Sequence, residues 1–80
     1  MHIQLIQGQF TSNDAIEIIT KMIHIKIKYH ENKIHELSNE EDIKNREAKI
    51  KRLQQELFEV RDEILSRKGE IKVDATMNID

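Results

Sequence analysis

The sequence predicts a mainly α protein with a minor β component: an antiparallel two-helix hairpin, flanked by N- and C-terminal strands, that assembles into a dimeric helical bundle. Three observations lead to this fold class. The first half carries two apolar stripes at helical spacing, the second half carries a heptad repeat, and the tail alternates apolar and polar residues. A chain of 80 residues is expected to form one domain, residues 1–80, with a modest core.

Composition limits the possible classes of protein. Charged residues make up 35% of the chain and aromatic residues 4%, with two glycines and no proline, which is typical of long solvated helices joined by short turns. The absence of cysteine excludes disulfides, thiolate zinc sites and thiol nucleophiles. No signal peptide and no apolar stretch of ~20 residues is visible, so we expect a cytoplasmic protein without membrane contact.

The first elements are a short strand and a long helix. Residues 2–7 are rich in β-branched and polar residues in partial alternation, which predicts a strand that ends at Gly8. Thr11 is a suitable N-cap, with Asp14 at the third helical position and Phe10 placed for a hydrophobic staple. We therefore predict helix 1 over residues 12–37.

Helix 1 carries two apolar stripes rather than one. At 100° per residue, the second lies roughly 120–180° around the helix from the first. One stripe is enough to pack against a second helix, so the other needs a further copy or a partner to cover it. The first stripe is Ile16, Ile19, Ile23, Ile27, Ile34 and Leu37, with His30 inside it, and the second, the predicted oligomer interface, is Ile18, Met22, Ile25 and Tyr29.

Helix 2 is predicted over residues 39–68 because a capping box precedes a heptad seam. Ser38 would cap the helix and Glu41 would reach back to it. Without proline or glycine at this junction the turn is tight, which favours an antiparallel hairpin, with one continuous helix as the rival. The seam is interrupted at one position by Arg46, and its apolar members are Ile43, Ile50, Leu53, Leu57, Val60 and Ile64.

The tail changes to a period of two. Apolar and polar residues alternate over residues 71–79, directly after Gly69, which predicts a half-buried strand, with a mobile tail as the alternative. A hairpin returns its two ends to one place, so the terminal strands can pair. Pairing within one chain and pairing between chains both remain open, because a lone two-stranded ribbon is marginal in water.

His30 interrupts the first stripe and should face Arg46 and Glu47 across the hairpin, forming a polar layer in the seam. A polar layer can fix helix register, which is the interpretation we favour. The alternative is a pH switch, because the unperturbed pKa of histidine lies near neutrality.

Catalytic and cofactor sites are not indicated. His30 and His35 are five residues apart, so they do not share a helix face as the two histidines of the H-E-x-x-H zinc motif must. His24, Glu31 and His35 lie near one face and could at most hold an adventitious metal. No histidine is placed to activate Ser66, and no glycine-rich phosphate loop is present. We expect neither an enzyme nor a bound cofactor.

A locally basic run in helix 2 raises the question of nucleic acid. Its members scatter around the helical wheel, which indicates a solvated surface rather than a basic face. The order strand–helix–helix also suggests ribbon-helix-helix repressors, but these helices are about twice too long. The run comprises Lys44, Arg46, Lys49, Lys51 and Arg52, with Glu47 among them.

The N-terminal half resembles short uncharacterised bacterial proteins that share a strand, a glycine, a Phe-Ser/Thr cap and an isoleucine-rich helix. The resemblance covers about half of the chain and implies a small bacterial cytosolic helical protein, without an activity to carry over. The residues that carry it are Ile3, Leu5-Ile6, Gly8-Gln9-Phe10-Thr11, Ala15, Ile18-Ile19, Lys26-Ile27 and His30-Glu31.

Together these observations predict a non-catalytic interaction or scaffold module that acts as a homo-oligomer, most simply a dimer, with itself and possibly another protein as partners. The alternative is a small regulatory DNA-binding or antitoxin-like protein.

Overall fold

A computed structural model describes residues 1–36 and 39–80 and confirms the predicted fold class. Two helices form a hairpin, and the terminal strands pair antiparallel in a two-stranded sheet, so the rival single continuous helix is wrong. The Cα atoms span 47 × 32 × 14 Å, which makes the molecule flat. In chain order the elements are β1 (His2–Phe10), α1 (Ser12–Ile34), α2 (Glu40–Ser66) and β2 (Ile71–Asn78).

The start of α1 follows its sequence signals. Thr11 is the N-cap, and its hydroxyl accepts a hydrogen bond from the backbone N–H of Asp14 at 3.2 Å. Phe10 packs against the cluster that contains Ala15, as a hydrophobic staple requires. α1 ends at Ile34, earlier than the predicted residue 37, and the stripe residue Leu37 lies outside the described residues.

The start of α2 differs slightly from the prediction. Its N-cap is Asn39, whose side-chain oxygen accepts from the backbone N–H of Glu41 at 2.8 Å. Ser38, the predicted cap, lies outside the described residues. The helix ends at Ser66 rather than at residue 68 because Arg67 already has an extended backbone, and Gly69 then takes a φ of +84°, in the left-handed region that favours glycine.

The two strands form a ribbon with one apolar and one polar face. β1 runs to Phe10, three residues beyond the predicted end, because Gly8 pairs with Val73 inside the ladder. The ladder slips by one residue between Gln4 and Ile6, which leaves Leu5 as the extra residue of a β-bulge. The apolar face is formed by the pairs Ile3–Met77, Ile6–Ala75, Gly8–Val73 and Phe10–Ile71.

The bulge explains why β1 shows only partial alternation. Ile3 and Ile6 are three residues apart, so in an unbroken strand they would point to opposite faces. The extra residue, Leu5, restores Ile3 to the same face as Ile6. The polar face then carries Gln4, whose side chain bonds both Asp74 and Thr76.

The core lies where the helices meet the ribbon, and it is small. Ala15 is fully buried and Ile64 is 3% exposed, and both pack with Ile71 at the start of β2. Ile27 and Leu53 are buried further along the hairpin. The remaining apolar side chains of this junction are only partly buried: Phe10, Ile16, Ile19, Val60 and Val73.

Candidate interaction surfaces

The second apolar stripe of α1 stays largely uncovered within one chain. Ile25 is 70% exposed and Tyr29 is 52% exposed, whereas Ile18 and Met22 are half-buried. We call these four residues the α1 surface. A soluble helix normally turns such a stripe toward a neighbour, and among the described residues Ile25 and Tyr29 both remain more than half exposed. The α1 surface is therefore available to a second molecule.

Tyr29 connects the α1 surface to a set of basic side chains. Its ring lies edge-to-face with His30, with centroids 5.5 Å apart. The Lys33 ammonium lies 5.8 Å from the ring centroid and the Arg46 guanidinium 5.6 Å from it, both within cation–π range. Arg46 belongs to α2, so Tyr29 also contributes to holding the two helices in register.

The predicted polar layer contains a direct contact between His30 and Arg46. The Arg46 Nη1 lies 2.8 Å from the His30 Nδ1. Arginine can only donate, so Nδ1 must accept and the histidine is neutral, with its proton on Nε2. Glu47 is exposed, and in the part of the chain that the structure describes it bonds neither residue. Two of the three residues of the predicted layer are thus brought together.

The environment of His30 disfavours its charged form. Partial burial lowers the pKa of its imidazole first, and the positive charges of Arg46, Lys49 and Lys26 lower the pKa further. A carboxylate beside the imidazole would raise its pKa, but Glu47 is not among the causes, and all of those that act on His30 lower the pKa. Protonation of His30 would break the bond to Arg46 and place two cations side by side.

This arrangement predicts how stability responds to acid. The folded-state pKa of His30 lies below the unfolded value of about 6.5, so the contact stabilises the fold fully above that pH. The stabilisation is lost as the pH falls through about 6.5 toward the folded-state pKa. Replacing the partly buried His30 by leucine should raise the free energy of unfolding near neutral pH, because a packed apolar side chain commonly stabilises a helix seam more than a polar one. The change should also flatten the dependence of stability on pH.

Urea denaturation of the wild type and His30→Leu at about pH 7.5 and about pH 5 measures this effect. His24→Leu, the same change at an exposed position of α1, is the control. It should show the same change in the free energy of unfolding between the two pH values as the wild type. If the free energy of unfolding changes equally with pH in the wild type and in His30→Leu, the contact with Arg46 contributes no pH dependence.

Basic side chains gather in a groove between the helices, on the side that carries His30. The groove has a volume of about 190 Å³ and is lined by Lys26 and His30 from α1 and by Lys49, Arg52, Leu53 and Glu56 from α2. Of the basic run of α2, Lys49 and Arg52 line this groove and Arg46 bonds His30. Lys44 pairs instead with Glu40 at 3.8 Å.

A further apolar surface on α2 was not predicted. Phe58 is 73% exposed and Leu65 is 64% exposed. Phe58 directly follows the seam residue Leu57, and Leu65 directly follows the seam residue Ile64. The seven-residue spacing of Phe58 and Leu65 was therefore the sequence signal for this surface. The two residues border a groove of about 350 Å³, which is lined by Gln54, Leu57, Phe58, Arg61, Asp62 and Leu65.

The described residues contain neither a group of side chains that could hold a metal ion nor a helix that could cross a membrane. Over 1–36 and 39–80, no three His, Asp or Glu side chains come close enough to hold a metal ion, so His24, Glu31 and His35 do not form such a group. Neither α1 nor α2 is long and apolar enough to cross a bilayer.

Comparison with family models, curated proteins and solved structures gives no match for this chain.

Proposed function

We propose that this protein is a non-catalytic interaction or scaffold module of the cytoplasm that acts as a homodimer through the α1 surface and the terminal strands. The observation that supports this most strongly is the exposure of Ile25 and Tyr29 on one face of α1, 70% and 52%. Exposed apolar stripes of this kind mark protein–protein contacts.

The small core makes association favourable. Among the described residues only Ala15, Ile27, Leu53, Ile64 and Ile71 are buried apolar residues, and none of the larger ones is fully enclosed. A core of this size leaves little stability after the conformational entropy of the chain is offset. A second copy that covers the α1 surface would add the missing apolar burial.

The ribbon supports the same proposal. The far end of its apolar face is open, with Ile3 38% and Met77 37% exposed, and the bulge residue Leu5 is 49% exposed. A two-stranded ribbon of this kind is marginal in water without a further surface. β1 (His2–Phe10) carries no Asp, Glu, Lys or Arg along its length, so its outer edge lacks the charges that commonly block strand pairing.

Tyr29 provides a direct test because it is the only tyrosine and the chain has no tryptophan. Its fluorescence therefore reports on the α1 surface alone. Acrylamide quenching should be weak at high protein concentration, where the dimer covers Tyr29, and should rise on dilution. Quenching that is as strong as that of free tyrosine and independent of concentration would contradict the proposal.

A further inference from the structure

We propose that the groove between α1 and α2 binds a phosphate group, with Lys26, Lys49 and Arg52 as its cationic partners. The site lies within one chain, next to the Tyr29 end of the α1 surface, because His30 contacts the Tyr29 ring. Two sources could supply such a group. A small phosphorylated molecule carries a tetrahedral oxyanion with up to two negative charges, and a phosphodiester backbone carries one with a single charge.

The first argument is unbalanced charge. Lys26 of α1 and Lys49 and Arg52 of α2 line one groove, and His30, which lines it with them, is neutral because it accepts from Arg46. Glu56 is the one carboxylate that lines the groove. In the described part of the chain none of these three cations forms an ion pair, whereas Lys21 and Arg67 each pair with the glutamate four residues before them.

The second argument is the shape and the donor set. A volume of about 190 Å³ lies below the range of about 300–1,000 Å³ that is typical of pockets for whole drug-sized ligands, so the groove suits one group rather than a large molecule. The buried Leu53 lies along it between the charged side chains. Arginine presents a planar fork of donors that fits phosphate oxygens, and lysines add point charges.

The neutral His30 completes the donors. With Nδ1 accepting from Arg46, its remaining ring proton lies on Nε2, so the imidazole can donate to an anion without carrying charge itself. A bound phosphate would also offset the repulsion from Arg46, Lys49 and Lys26, which makes the protonated imidazole easier to form. Phosphate binding and proton binding to His30 are therefore linked, and the linkage gives a site-specific signal.

The experiment follows the imidazole protons of His30 by NMR while inorganic phosphate is added to the full chain at constant ionic strength. We expect saturable shifts in the millimolar range and an increase in the pH of the His30 midpoint. Lys49→Gln should weaken binding by about fivefold, the effect of one lost charge-assisted contact. Lys28→Gln, the same change at an exposed position on the opposite side of α1, is the matched control and should bind as the wild type does.

A second arm separates the two sources of phosphate. If the natural source is a phosphodiester backbone, a short duplex DNA displaces inorganic phosphate from the groove, and its affinity falls steeply with salt. If the source is a small molecule, a 5′-mononucleotide displaces phosphate and the duplex does not. Either result supports the phosphate site. The proposal is overturned if phosphate leaves His30 unshifted, or if Lys28→Gln weakens binding as much as Lys49→Gln does, because binding would then reflect general surface charge.

Discussion

Replacing Ile25 by glutamate is expected to dissociate the proposed dimer while the helices stay formed. Ile25 is 70% exposed in the single chain, so the change adds no buried charge to the monomer. A symmetric interface contains the residue twice. At roughly 2 kcal/mol for each isoleucine removed from a buried interface, the dissociation constant should rise by about a thousandfold.

Sedimentation velocity and far-UV circular dichroism on the variant check both parts of this prediction. His24→Glu is the matched control, because it places the same charge at the neighbouring exposed position outside the α1 surface. Ile27→Glu is a second comparison: Ile27 is only 9% exposed, so an unpaired charge there should unfold the hairpin itself. If Ile25→Glu and His24→Glu sediment alike, the dimer does not use the α1 surface.

Deleting residues 70–80 is expected to destabilise the fold severely. The deletion removes Ile71, which is 9% exposed and packs with Ala15 and Ile64, and it removes the half-buried Val73. It also leaves β1 without its partner strand. The loss from these side chains alone is about 3 kcal/mol in the free energy of unfolding, a large part of the stability of a domain this small.

Urea denaturation followed by circular dichroism measures the loss. A shorter deletion of Ile79 and Asp80 is the control, because both residues lie beyond the end of β2 at Asn78. It removes only the bonds between Met1 and Ile79 and should change stability little. Equal stability of the long deletion and the full chain would show that the ribbon contributes nothing to the fold.

Much of the fold could be predicted because its signals are local. The alternation after Gly69 predicted β2 nearly to the residue, and the hydroxyl of Thr11 together with Phe10 predicted the start of α1. The bulge at Leu5 could not be predicted, since an extra residue in one strand is defined only against its partner strand. The end of α1 at Ile34 was likewise not predictable, because no glycine or proline marks it in the sequence.

The surfaces were predictable to a smaller extent. The predicted antiparallel hairpin placed His30 opposite Arg46 correctly, because antiparallel helices keep a simple register. Glu47, the next residue after Arg46, lies 100° further around α2 and is exposed, so it takes no part in that contact. The register therefore predicted which residues are level with His30 but not which of them contact it. The groove with Lys26 and Lys49 could not be predicted, because it depends on how α1 and α2 lie beside each other. A helical wheel describes only one helix and does not show this.

Sedimentation equilibrium of the wild-type chain over a range of micromolar concentrations tests the central claim most directly. The exposed α1 surface and the open ribbon predict a mass of two chains that falls toward one chain on dilution. A mass of one chain at every concentration, for a protein that remains folded by circular dichroism, would contradict the claim that this protein acts as a homodimer.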